Sequence, residues 1–157
     1  MKILLAVDES PYADKIVQFV LKQHWFDDAQ ITVLHVIEPL KIGSYLSVLP
    51  SPLLDEIKNK AKLSGEHLLS TIAGKLSQAH PAAEIKEHLV EGFVREEIIN
   101  YAKTWPADLI VVGSHGHSRV MSMLLGSVSQ AVVTTAPCAV LLVRSEPEEM
   151  PQWPRSH

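Results

Sequence analysis

The chain has 157 residues, with 14 Lys plus Arg against 18 Asp plus Glu and a formal net charge of −4. That length predicts one domain with a genuine core, and 46% hydrophobic with 20% charged residues excludes both a disordered chain and a membrane-embedded one. A mildly acidic balance without a Lys/Arg cluster argues against binding to the nucleic-acid backbone or to a membrane surface.

Residues 3–7 form a compact apolar strand that ends at Asp8, Glu9 and Ser10. The run is too short for a signal-peptide core, so a cytoplasmic location is expected. Ser10 has the chemistry of an N-cap and Pro11 that of a first helical residue, where the missing N–H costs nothing. Ile16, Val17, Val20 and Leu21 then recur at helical spacing. Residues 31–37 are β-branched and continuously apolar, a strand buried on both faces, and His35 within it reads as a hydrogen-bonded core histidine.

Residues 38–50 have no period and contain Pro39, Gly43 and Pro50, the signature of a functional lid or mobile connection. Ser51-Pro52 repeats the cap-plus-proline start. Leu54, Ile57, Ala61, Leu68, Ile72 and Leu76 mark the buried side of a long helix, which Gly65 and Gly74 should weaken. Residues 84–91 are short and charged, as an edge strand is. Val94, Ile98, Ile99 and Ala102 give another amphipathic helix. Residues 109–112 are a fully apolar strand, 127–135 a last short helix, and 139–143 a last strand. The predicted domain is 1–144, and the Pro-rich remainder, 145–157, is expected to be a frayed tail.

Five strands alternating with four helices require right-handed parallel crossovers, hence an α/β fold with a three-layer open sheet. The expected strand order is 3-2-1-4-5. In such sheets ligands sit beyond the strand C-termini, where the order reverses, here between the strand ending at Asp8 and the one ending at Gly113.

The segment Gly113-Ser-His-Gly-His-Ser-Arg-Val-Met-Ser-Met-Leu-Leu-Gly-Ser127 has the form Gly-x2-Gly-x9-Gly-Ser, directly after a buried strand. Glycines let a backbone approach a ligand and aim successive N–H groups into a concave nest. Residues 126–129 add N–H groups at a helix N-terminus and two hydroxyls, a ready anion site. Together they suit a phosphate chain, although a structural glycine turn would leave the same spacing. Neither a Gly-x4-Gly-Lys-[Ser/Thr] P-loop nor a Gly-x-Gly-x2-Gly dinucleotide fingerprint is present.

The sequence resembles the universal stress protein family, one branch of which binds ATP. The resemblance is carried by Lys2-Ile-Leu-Leu-Ala-Val-Asp8 with Ser10, Leu34-His-Val-Ile37, Ala107-Asp-Leu-Ile-Val-Val-Gly-Ser-His-Gly116, Leu124-Leu-Gly-Ser-Val-Ser129 and Ala136-Pro-Cys-Ala-Val-Leu-Leu-Val-Arg144. It implies a Rossmann-like fold of the adenine-nucleotide α/β hydrolase type. It also implies that Ala6, Val7 and Asp8 line the nucleoside end and that the backbone of Val36 meets the base edge. Gly113, His115 and Gly116 would wrap the ribose and phosphates, while Gly126, Ser127, Val128 and Ser129 would hold the phosphate chain. The expected cofactor is ATP, with Mg2+ as its companion ion, and AMP or ADP are further nucleotide partners. Glu9 departs from the pattern, since many members carry glycine there, and bears on affinity more than on mode.

His115 and His117 lack the third and fourth ligands that a zinc site requires. Cys138 cannot form an internal disulfide and reads as a small buried hydrophobe. No nucleophile stands beside a base in the sequence pattern, so ATP hydrolysis should be slow at most. The expected function is therefore a nucleotide-binding stress-response or signalling protein. A nucleotide-independent scaffold or chaperone-like dimer and a slow ATPase are the alternatives. The apolar strand 139–143, last in the sheet, invites pairing with a second copy, and further protein partners are unspecified.

Overall fold

In the computed structural model, residues 1–39, 50–114 and 125–144 are described. The strands are β1 (Lys2–Ala6), β2 (Gln30–Ile37), β3 (Glu84–Glu91), β4 (Leu109–Gly113) and β5 (Ala139–Val143). The helices are α1 (Pro11–Leu21), α2 (Ser51–Ala79), α3 (Val94–Thr104) and α4 (Ser127–Thr135). All four strand pairings are parallel, in the order β3-β2-β1-β4-β5. This is the α/β open sheet that the alternation of elements requires.

The central strands are apolar on both faces because helices cover both. Ile3, Leu5 and Val7 of the β1 run meet Ile16, Val17 and Val20 of α1 and Leu69, Ile72 and Leu76 of α2. On the other face Leu4 and Ala6 join Leu34, Val36, Ile110 and Val112 beneath Ile98 and Ala102 of α3 and Val132 of α4. At the outer edge β3 is protected by charge. Lys86 Nζ lies 2.9 Å from Glu84 Oε1, and the lysine holds that carboxyl below its usual range, first by hydrogen bonding and then by charge.

Two helix starts differ in detail from the sequence reading. Ser10 occupies the N-cap of α1 without a side-chain cap, because its hydroxyl donates instead to Asp8 Oδ1 at 2.5 Å. Pro50 stands at the N-cap of α2, so Ser51 is its first helical residue. The helix also runs unbroken through both glycines. Gly74 faces open space, whereas Gly65 lies on the buried side, where an added methyl would come 2.8 Å from Leu89 Cδ1 and 2.9 Å from His35 Cδ2. The glycine thus permits close approach of α2 to β2 and β3 rather than marking a weak point.

A 3-10 turn at His24–Phe26, which no periodicity signals, places Phe26 fully in the core. Beside it His80, at the C-cap of α2, is 2% exposed. Its ring nitrogens face the Asp27 carboxylate at 2.6 Å and the Val20 carbonyl at 3.2 Å. One side chain so ties the end of α2 to the end of α1 and the turn that follows.

Candidate functional site

The order of the strands creates an opening at the centre of the sheet. The β1–β4 register runs from Ile3↔Leu109 to Leu5↔Val111. Beyond it β1 follows β2, with Val7 N–H donating to the Leu34 carbonyl at 3.0 Å. Meanwhile β4 follows β5 as far as Gly113↔Val143, and Ser114 N–H donates to the Val143 carbonyl at 2.9 Å. The two central strands therefore fork where the topology switches, and a cavity of about 570 Å3 occupies the fork. That volume lies within the roughly 300–1,000 Å3 common for small-molecule sites.

Ala6, Val7 and Asp8 form the β1 wall and Val36 the β2 wall. Gly113 stands at the end of β4, and Gly126, Ser127, Val128 and Ser129 close the far side. Nine of the residues singled out in the sequence thus share one cavity, while His115 and Gly116 lie outside the described residues, as do His117, Arg119 and the tail 145–157. The expected lid lies outside them over 40–49. The motif reading did not assign His35, Ile37, Glu38, Ala61, Val94 or Ile98, which also line the space. Ala61 comes from α2 and Val94 with Ile98 from α3, both remote in sequence, so no local pattern could have marked them.

The corner at Val7–Ser10 is held from several directions. Asp8 Oδ1 accepts from Ser10 N–H at 3.2 Å as well as from its hydroxyl, and Ala13 N–H donates to the Ser10 carbonyl at 3.1 Å. An aspartate that bonds the backbone two residues on builds its own turn. Across the cavity, the first residues of α4 have no preceding helical carbonyl to bond, so the N–H groups of 127–129 and the positive end of the helix dipole gather there. Two details differ from expectation. Gly126 N–H is already engaged, donating to the Ser114 carbonyl at 2.9 Å. The buried Ser129 hydroxyl donates to the Gly113 carbonyl at 2.6 Å. Ser129 therefore fastens α4 to β4, and Gly126, at φ −58°, needs no left-handed freedom.

Charge is distributed unevenly around the cavity. Asp8, Glu9 and Glu38 line it at the β1–β2 side, and none of its described lining residues is Lys or Arg. The side suited to an anion is the α4 end, and the side suited to neutral hydrogen-bonding groups is the Asp8 end. Among the described residues no group of three or more His, Cys, Asp or Glu is placed to hold a metal ion. No described helix is long and apolar enough to cross a membrane.

Residues 1–144 match the sequence model of the universal stress protein family. The chain belongs to this family. Universal stress protein YxiE of Bacillus subtilis is 34% identical over 147 residues, covering 91% of this chain and 98% of the relative. The structure of universal stress protein UspA from Lactobacillus plantarum superposes with a TM-score of 0.70 at 28% identity, covering 92% of this chain and 97% of that one. A universal stress protein family member from Arabidopsis thaliana, solved with AMP bound, shares the fold with a TM-score of 0.68 at 20% identity, covering 97% and 96%.

Proposed function

We propose that this universal stress protein binds an adenine nucleotide in the forked cavity, with ATP as its main ligand, and acts in stress response or signalling through the bound state. The observation that carries the reading is the pairing, across one cavity, of the fixed Asp8 corner with the N-terminus of α4. The corner offers a carboxylate to hydroxyl or amino donors of a nucleoside. The helix end offers N–H groups to phosphate oxygens. The AMP-bound Arabidopsis relative supports the class of ligand through shared fold.

In this assignment Ala6, Val7, Asp8 and Val36 take the nucleoside. Gly113, Ser127 and Val128 take the phosphates together with His115 and Gly116, and Gly126 and Ser129 frame that end. With three carboxylates on the cavity wall, Mg2+ accompanying ATP lowers the charge that the site must accept. AMP and ADP compete at the nucleoside end. The role is binding rather than turnover, in the cytoplasm, by a domain spanning 1–144. A homodimer pairs through β5, whose Val140, Leu141 and Leu142 are half-buried at a sheet edge.

Isothermal titration of nucleotide-stripped protein with Mg·ATP tests the reading. Saturable binding at one site per chain, lost in Gly126→Val, is the expected result. Absence of heat, with no competition by AMP or ADP, would overturn it in favour of a nucleotide-independent scaffold. Multiple turnover of ATP well above background would overturn the assignment as a binder.

A further inference from the structure

His35 is a buried titratable group on the cavity wall that the nucleotide assignment leaves unused. It sits on β2 between Leu34 and Val36, lines the cavity, and is 8% exposed. Its Nδ1 lies 3.0 Å from the Val7 carbonyl. A carbonyl only accepts, so this nitrogen carries the hydrogen and donates it. The other edge of the ring lies against α2, where Gly65 has no side chain to displace it. Val7 is thereby held to β2 twice, through its N–H to the Leu34 carbonyl and through its own carbonyl to the His35 ring. It is the last residue before Asp8 and lies past the end of the β1–β4 pairing, where the sheet no longer fixes the chain from the β4 side.

We propose that His35 is a positioning residue of the nucleotide site: its Nδ1–H anchors the Val7 carbonyl and so fixes the corner that presents Asp8 to the nucleoside. The inference rests on the nucleotide reading for its functional meaning but makes a claim about the ligand-free chain as well. Gly65 is the complement of the ring, since a larger residue there would push the imidazole off the Val7 carbonyl.

Two substitutions separate anchoring from packing. His35→Asn places an amide N–H where Nδ1–H stands but loses the rest of the ring, whereas His35→Leu keeps a side chain of similar volume and has no donor. In ligand-free protein, NMR hydrogen exchange at Val7 and Ser10 should accelerate about tenfold in His35→Leu and less than about threefold in His35→Asn, with Gln130 of α4 as an internal control. Titration with Mg·ATP should show affinity lowered about five- to tenfold in His35→Leu and largely recovered in His35→Asn. Unchanged exchange at Val7 and Ser10 in His35→Leu overturns the proposal whatever the nucleotide result. So does acceleration that includes Gln130 equally, or an asparagine variant as impaired as the leucine one. If exchange behaves as expected and wild-type protein binds no adenine nucleotide, the anchor stands and the nucleotide reading falls.

Discussion

Glu9 lines the cavity without building its corner. It is exposed on the cavity wall beside Asp8, where its charge would oppose the polyphosphate of the proposed ligand. Glu9→Gln should tighten Mg·ATP binding about two- to fivefold at low salt, with the gain shrinking as salt screens the charge. Equal affinities in titrations at low ionic strength would refute this. His80 is the opposite case, structural and remote from the cavity. His80→Ala removes a buried ring and leaves the Val20 carbonyl and Asp27 without it, so urea denaturation should show a loss of about 2–4 kcal/mol. Nucleotide affinity of the folded variant should stay at the wild-type value. Cys138 is half-buried against the sheet face that α3 and α4 cover, where burial first and the Asp108 carboxylate second push its thiol up. Only the thiolate reacts readily, so iodoacetamide should label Cys138 slowly near neutral pH and much faster in urea. Asp8 and the 126–129 stretch were legible as candidates because strand ends and helix starts announce themselves locally. His35 was legible as a hydrogen-bonded core histidine, but its partner Val7 was not, nor were Phe26 and His80, since each depends on partners brought together only by folding.

Among the elements, α4 shows how a helix start is prepared. Gln130 N–H donates to the Gly126 carbonyl, Gly126 N–H to the Ser114 carbonyl, and the Ser129 hydroxyl to the Gly113 carbonyl. These bonds set the helix N-terminus at a fixed distance from the end of β4. Ser129→Ala should cost about 1 kcal/mol in thermal or urea unfolding and weaken Mg·ATP binding more than AMP binding, because it disturbs the end proposed for the phosphates. A variant that binds both ligands as wild type does would show that α4 needs no such fastening. The long α2 was only partly legible. Helical spacing marks Ile72 and Leu76, but Gly65 and Leu69 share the buried face, and a glycine carries no hydropathic signal. Its importance comes from the space that His35 and Leu89 already occupy.

At the scale of the whole molecule the topology followed from the alternation of elements, because parallel strands joined by helices leave few arrangements. The charged β3 and the apolar β5 fell at opposite edges, as their compositions imply. Among the described residues no strand pairs with the outer edge of β5, and an apolar edge of that kind is an invitation to association. Sedimentation at micromolar concentration should therefore show a species of twice the chain mass, and a single 17.4 kDa species would refute the β5 dimer.

The fork has a mechanical consequence. One side of the sheet, β3-β2-β1, is joined to the other, β4-β5, through a seam of three paired positions. A molecule lodged between the Asp8 corner and α4 acts as a stitch across that seam. Its largest kinetic effect would then fall on the unfolding route that begins by parting the two halves, so a single-molecule pull applied across the seam would feel the ligand more than a pull along any one strand.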